Sequence, residues 1–287
     1  MASAGLNSSK LSVFSKQITL GETMADWEER RQQADETFAR FVPDAEPARV
    51  LASMERNLGA LGTFAFSAVG EMWSRPNLSR RDRSLMIIAV LAAQSRDEEL
   101  VLHTGVGLRH GLTRTEIEEI NLHIAAYVGF PAAMAASRRM DQAFRDAEGV
   151  EQLAGRTGAE HLGDDERLER AAEVRSTLTG GTAAPDPGQD LADLHTLLGD
   201  VGDWAMLWAF GEIWARPQLS RRDRSLIVIA ILTALGQEAE LAFHVPAGLN
   251  HGLTREEIEE VMTHLCLYAG FPRAVDGMRA ARRAFES

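Results

Sequence analysis

Imidazole is the one side chain that exchanges a proton near neutral pH unaided, and this chain sets its histidines in matching places. His103 and His244 stand two residues before Gly105 and Pro246, weak helix formers inside apolar helical stretches. There a ring can give a proton to carbon or a hydrogen bond to a developing oxyanion. A core histidine bonded to a carbonyl or carboxylate fits the same pattern, so both readings stand. His110 and His251 follow seven residues later, just before Gly111 and Gly252, where an imidazolium complements the C-terminal end of a helix. His123 with Tyr127, and His264 with Tyr268, are spaced to touch along one helix face, as a second acid pair or as a polar bridge between helices.

The other groups with chemical use are charged. Arg83 and Arg224, with Arg80, Arg81, Arg221 and Arg222, open helices where positive charge opposes the macrodipole. Asp82, Asp223, Glu71 or Glu212 can offset it as ion pairs; an anionic substrate held by the Arg83 and Arg224 forks, or a neighbouring subunit, is the sharper reading. Glu71 and Glu212 lie two residues before Trp73 and Trp214, so an aromatic wall can make them proton shuttles, whereas a nearby arginine makes them salt bridges. Metal is not expected. The histidines show no HxxxH or HExxH spacing, and a seven-residue gap separates side chains by about 10 Å along a helix.

These residues recur because the chain repeats itself. Residues 70–134 lie on 211–275 at a constant shift of 141, with 37 of 65 positions identical. A period of that length makes each copy a small domain rather than a turn of a solenoid. The expected division is a flexible tail over 1–23, a first repeat over 24–147, a linker over 148–163 and a second repeat over 164–287. Asp146–Glu166 and Thr179–Gln189 are read as exposed connections. Extending the same shift sets Thr63 and Phe64 opposite Trp204 and Ala205.

Within a copy, Ser79 with Asp82 three residues on caps a helix whose run Leu85–Ala92 is apolar on every side, hence buried. A strand competes over Met86–Val90, but no turn closes it within strand length. Glu98–His110 forms the next helix, Thr113 with Glu116 is a capping box, and Pro131 suits the first turn of a last helix reaching about Phe144. The fold class is all-α: two tandem helical bundles.

Composition narrows the partners. Among 287 residues, 30 Lys and Arg against 42 Asp and Glu leave a net charge of −12, which repels a phosphate backbone, so nucleic acid is excluded. The apolar runs are shorter than the roughly 20 residues that span a bilayer, so no membrane is crossed. A single cysteine, Cys266, permits no intrachain disulfide and no thiolate cage, which places the chain in the reducing cytoplasm.

The order GE-x-W-x-RP-x-LS-RRDRSL, EL-x-x-H, HGLT-R-x-EI-EE and Y-x-GFP resembles the carboxymuconolactone decarboxylase family, of the alkylhydroperoxidase-like superfamily, over about half the chain. The resemblance implies an all-α bundle that self-associates, a tandem chain forming a homotrimer that mimics a hexamer, with sites needing no metal and no organic cofactor. It implies a lyase acting on a small anionic lactone or keto acid. The electrons left by the departing carboxylate drain into a carbonyl, with His103 and His244 as proton donors, Arg83 and Arg224 as anchors, Glu71 and Glu212 as shuttles, and Trp73, Trp214, His123, His264, Tyr127 and Tyr268 binding substrate. Matching His103 and His244 to the peroxidases' histidine puts the two cysteine positions of their CxxC pair at Arg96, Glu99, Gln237 and Glu240, so thiol peroxidase chemistry is excluded. The basic residue that often follows that histidine is Gly105 or Pro246 here, which leaves room for an isomerase, cyclase or ring-opening enzyme, and for a non-catalytic small-molecule-binding scaffold.

Overall fold

The computed structural model describes residues 27–148, 158, 159 and 161–286, and every element among them is helical. The expected tail and most of the expected linker lie outside the described residues. The first copy comprises α1 (Trp27–Phe41), α2 (Pro47–Leu58), α3 (Ala60–Ser74), α4 (Arg80–Ala93), α5 (Asp97–Arg109), α6 (Arg114–Tyr127) and α7 (Phe130–Glu148). The second comprises α8 (Asp164–Leu178), α9 (Pro187–Leu198), α10 (Asp200–Trp204) continuing as a π-helical segment (Ala205–Trp214), then α11 (Arg221–Leu235), α12 (Glu238–Asn250), α13 (Arg255–Tyr268) and α14 (Phe271–Ala284). No helix among the described residues is long and apolar enough to cross a membrane.

The boundaries follow local chemistry. The Ser79 and Ser220 hydroxyls accept from the Asp82 and Asp223 amides, and Thr113 with Glu116 and Thr254 with Glu257 close full capping boxes. One boundary differs from expectation. Residues 187–189 of the Gly- and Pro-rich stretch are helical, because Asp186 caps the Gln189 amide and Pro187 occupies a first-turn position. The first copy's last helix likewise extends past Phe144 to Glu148.

Helices α4 and α11 form the centre, packing on each other as well as on their own copies. Both are buried on every side, from Asp82 to Ala93 and from Asp223 to Ala234. The β-branched run is helical because burial outweighs a few tenths of a kcal/mol of propensity. A helix apolar all round must be covered all round, and one repeat cannot do it alone. One continuous core therefore runs through both copies, from Phe66, Trp73 and Leu85 to Trp214, Leu226 and Leu265.

The repeat register is not constant. Gly59 and Gly199, at φ 59° and 62°, are equivalent at a shift of 140. So are Gly62 and Gly202, where an added Cβ would come 2.3 Å from the Met54 carbonyl oxygen and 2.4 Å from that of Leu194. By Gly70 and Gly211 the shift is 141. The extra residue is absorbed between Gly202 and Gly211, where the chain winds as a π-helix, the usual structural record of a one-residue insertion. Phe64 consequently faces Trp204, not Ala205.

Gly70 sets how closely α1 approaches α3: a Cβ there would lie 2.3 Å from the Ala34 Cα. Gly70→Ala is expected to lower stability by about 1–3 kcal/mol through this overpacking, measured by urea denaturation. An unchanged midpoint would show that the two helices do not meet there.

Candidate active site

Two clusters of aromatic and charged side chains lie against the central helices, and each draws on both repeats. In the first, Trp73 of α3 stacks on His103 of α5 with centroids 5.9 Å apart, while His264 and Tyr268 of α13 come from the other copy. Tyr268 meets His103 edge-on at 5.4 Å and accepts a 2.9 Å hydrogen bond from Trp73 Nε1. In the second, Trp214 stacks on His244 at 6.1 Å, and Tyr127 of α6 accepts from Trp214 Nε1 at 3.0 Å. Tyr127 Oη also lies 3.4 Å from His244 Nε2.

Behind each cluster lies a buried guanidinium. Arg83 is 0% exposed; its Nη1 donates to His264 Nδ1 at 2.6 Å, and its Nη2 to Glu260 Oε1 at 2.8 Å and to the Arg75 carbonyl at 2.7 Å. Arg75 grips the same carboxylate through both Nε and Nη2, each at 2.8 Å. The second cluster repeats the design with Arg224, His123, Glu119 and Arg216. A guanidinium only donates, so the bonded ring nitrogen accepts and the other nitrogen carries the hydrogen. Those nitrogens, His264 Nε2 and His123 Nδ1, are buried with no hydrogen-bond partner among the described residues, as are the Nδ1 atoms of His103 and His244. Each cluster thus holds imidazole donors with nothing to donate to.

Burial also holds the rings neutral. Desolvation, reinforced by a neighbouring histidine, lowers His103 and His244 to about 3. Desolvation and the adjacent guanidinium push His264 and His123 well below their ordinary value. Burial raises the Tyr127 and Tyr268 phenols. His110 and His251 fall to about 4, chiefly by desolvation and then by Arg109 and Arg221, so they are not charged helix caps as the sequence suggested. Instead each Nδ1 lies 2.8 Å from a buried hydroxyl, Ser84 or Ser225.

The remaining expected residues fall elsewhere. Glu71 pairs with Arg30 at 3.2 Å and Glu212 with Arg167 at 2.7 Å, on the first helix of each copy. Among the described residues neither carboxylate touches a ring of the clusters, and Glu71 acts on the first one only through its charge, which favours the Arg75 guanidinium. Arg83 and Arg224 are enclosed by protein partners, so they hold histidines rather than reach into open space. The helix-opening cations are offset crosswise: Arg81 bonds Asp223 at 2.9 Å and Arg222 bonds Asp82 at 3.1 Å. Sequence reasoning missed Glu119 and Glu260, although each precedes its histidine by one helical turn. It also missed Arg75 and Arg216, for which a lone arginine before proline gave no signal. Among the described residues His195, Asp200 and Asp203 bring ligand-type atoms within 4.8 Å of one another; they sit on α9 and α10, which carry none of the ring-cluster residues.

A buried neutral imidazole must take up a proton when the chain unfolds at acid pH. Its folded pKa lies below the unfolded value near 6.5, so its contribution to stability is full above 6.5 and is lost as pH falls toward 3. His103→Gln is expected to flatten the fall of unfolding free energy between pH 6 and 4 by up to about 1.4 kcal/mol per pH unit, one proton's worth, read from urea midpoints across that range. Superimposable pH profiles would mean that the ring is charged or solvated in the folded state.

The sequence profile of the carboxymuconolactone decarboxylase family matches residues 62–142 and again 199–283, more than half of the chain. Over 125 residues the chain is 36% identical to a 4-carboxymuconolactone decarboxylase of Acinetobacter baylyi, covering 44% of this chain and 91% of that one. It is 33% identical over 107 residues to a nitrosuccinic acid decarboxylase of Metarhizium robertsii, covering 37% of this chain and 64% of that one. The first relative is about one repeat long. The match in two separate stretches, on helices that alternate in one order in both copies, means that this chain belongs to the carboxymuconolactone decarboxylase family as two tandem units.

Proposed function

We propose that the chain is a cofactor-independent decarboxylase of small acids that carry an electron sink next to the carboxylate to be lost. Family membership and two relatives named as decarboxylases support the reaction type. The observation that carries the substrate class is electrostatic. In each cluster two guanidinia, Arg75 with Arg83 or Arg216 with Arg224, share one carboxylate, Glu260 or Glu119. Arg83 and Arg224 are wholly buried while Arg75 and Arg216 keep 41% and 26% of their side chains exposed, so the positive charge left over by the shared carboxylate favours an anion arriving beside it. A lactone carbonyl and a nitro group, the sinks in the relatives' substrates, both turn the departing carboxylate's electron pair into charge on oxygen.

The residues divide the work as follows. The bond from carbon to the carboxylate breaks, carbon dioxide leaves, and the pair moves to the sink oxygen. The free N–H of His264 or His123, fixed by the Arg83 or Arg224 fork, donates to that oxygen without reorganising. His103 or His244 is neutral in the empty site, but an anion alongside raises its proton affinity, so it takes a proton as substrate binds and gives it to carbon afterward. Trp73 with Tyr268, and Trp214 with Tyr127, orient that ring and exclude water. Glu71 and Glu212, engaged by Arg30 and Arg167, drop out of the chemistry.

We further propose a homotrimer working in the reducing cytoplasm, where the single Cys266 stays a thiol. Leu58, Leu61 and Phe64 are exposed at 51%, 61% and 60%, and their equivalents Leu198, Val201 and Trp204 at 49%, 70% and 66%. Matching apolar rows at the two ends of one repeat relation suit a ring in which the first row of one copy meets the second of the next.

Turnover is tested by mixing the protein with 4-carboxymuconolactone or nitrosuccinate and following loss of the carboxylate by proton NMR. The His103→Ala, His244→Ala double variant is expected to lose at least about a hundredfold in rate, the scale of a positioned acid. Saturable binding without turnover would replace the enzyme by a binding protein. Light scattering after size exclusion is expected to give three chain masses for the native protein and one for Phe64→Glu, Trp204→Glu; a native monomer refutes the ring.

A further inference from the structure

The two clusters share a plan but not a wall. Helices α1 and α8 are each 15 residues long and bury matching positions, Ala34, Thr37 and Phe41 in one and Ala171, Val174 and Leu178 in the other, so that their last residues, Phe41 and Leu178, are equivalent. The backbones confirm this, since Arg109 Nη2 donates to the Phe41 carbonyl at 2.6 Å and Asn250 Nδ2, its counterpart, to that of Leu178 at 3.1 Å. The Phe41 ring is 5% exposed and closes on the first cluster from three sides: 4.9 Å from Trp73, 5.6 Å from His103 and 6.1 Å from His110. Leu178, 1% exposed, is a branched alkyl residue at the equivalent position, and the phenyl ring nearest His244 is instead that of Phe243 on its own helix, edge-on at 5.1 Å. Beside it, Thr177 Oγ1 lies 3.0 Å from His251 Nε2, whereas His110 Nε2 has no partner among the described residues and packs against the Phe41 ring.

From this difference we infer that Phe41 is a specificity-determining residue: it restricts the His103 site to short, acyclic acids, while Leu178 leaves the His244 site room for an acid built on a lactone ring. The inference rests on the decarboxylase reading and deepens it, giving one chain two sites tuned to substrates of different bulk. A flexible four-carbon diacid can turn edge-on beside a phenyl ring. A five-membered lactone bearing carboxylates is rigid and cannot thin itself, so the ring at Phe41 and the ring of the substrate compete for one space. Apolar pockets discriminate on size by about tenfold to two-hundredfold and no more, which sets the scale to expect. The asymmetry gives tandem duplication a consequence that two identical sites would lack.

Two single-site proteins separate the effects: His244→Ala retains the His103 site, and His103→Ala retains the His244 site. The ratio of kcat/KM for nitrosuccinate to that for 4-carboxymuconolactone is expected to be at least about tenfold higher in the former. Adding Phe41→Leu to it is expected to lower KM for the lactone about tenfold and so to narrow the preference for nitrosuccinate, whereas mere loosening of the core would lower kcat for both substrates alike. Adding Leu178→Phe to the other protein is expected to raise KM for the lactone by a similar factor. The second swap stands on its own should Phe41→Leu fail to fold, as circular dichroism would reveal. Titration calorimetry with succinate and with paraconic acid, a saturated lactone acid that cannot form the dienolate, reads the same preference without turnover. If neither substrate reacts but the two analogues show the reciprocal shift, the decarboxylase reading fails and size selection stands. Equal ratios in the two single-site proteins, swaps that move neither KM nor affinity, or no binding at either site would overturn the assignment of Phe41.

Discussion

Everything in this molecule is arranged around two guanidinium groups that never meet water. Arg83 and Arg224 begin the two central helices and are completely buried, the most expensive place for a charge unless its partners are supplied by the fold. Those partners come from the other copy: Glu260 and His264 for Arg83, Glu119 and His123 for Arg224. Neither repeat alone satisfies its own arginine. Separating the copies would leave two unpaired charges in apolar surroundings as well as two all-apolar helices uncovered. The reciprocal exchange therefore welds the tandem units into one body, and it does so with the same bonds that set the tautomer and tilt of a histidine in each cluster.

That arrangement explains how a duplicated chain remains constrained where its chemistry lies and drifts where it does not. At the arginine, the paired carboxylate and the tryptophan-to-tyrosine hydrogen bond both copies hold the same residue types, because a change on one side orphans a buried group on the other, although the bonded histidine nitrogen is Nδ1 in His264 and Nε2 in His123. At the outer helices the copies part. Phe38 stacks on Phe66 at 4.5 Å in the first, whereas its equivalent Arg175 makes a two-pronged ion pair with buried Asp190 in the second. The π-helical turn before Trp214 belongs to the same divergence: an inserted residue was accommodated by local rewinding, which left Trp214 on its hydrogen bond to Tyr127.

Much of the fold was legible because its signals are local. Capping hydroxyls, glycines with positive φ after α5, α6, α12 and α13, and prolines in first turns all act over four residues or fewer, and the constant shift of 141 proved the duplication without any structure. The shift of 141 fails before Gly70: it is 140 at Gly59 and Gly62 and 137 over the first helix of each copy, all in stretches of low identity. The site was half legible. Imidazole, indole and phenol were identifiable by type, and the spacing of His123 to Tyr127 put them on one face, with ring centroids 6.2 Å apart. What spacing cannot report is which copy supplies which wall. Glu260 is 177 residues from Arg83, and nothing in either segment states that they meet. Arg83 looked like a substrate anchor because its geometry suits a carboxylate; the carboxylate turned out to be the protein's own.

Burial of neutral histidines beside surplus arginine charge also has a direct chemical reading. A site of this kind disfavours imidazolium at His103 and His244 twice, by desolvation and by the neighbouring histidine, so a proton resting there in advance would be wasted stability. An incoming anion reverses both effects, because it brings negative charge into a medium of low effective dielectric, where a single charge within a few ångströms changes proton affinity by several powers of ten. In the proposed reaction proton and acid enter together, and loss of neutral carbon dioxide leaves the negative charge on the substrate, shifted from the carboxylate to the carbon and its sink oxygen, where the imidazolium's proton neutralises it. Timing of that kind requires no metal or prosthetic group. It requires only a ring that is hard to charge, a cation that cannot leave, and a fold in which each repeat guarantees the position of the other's histidine.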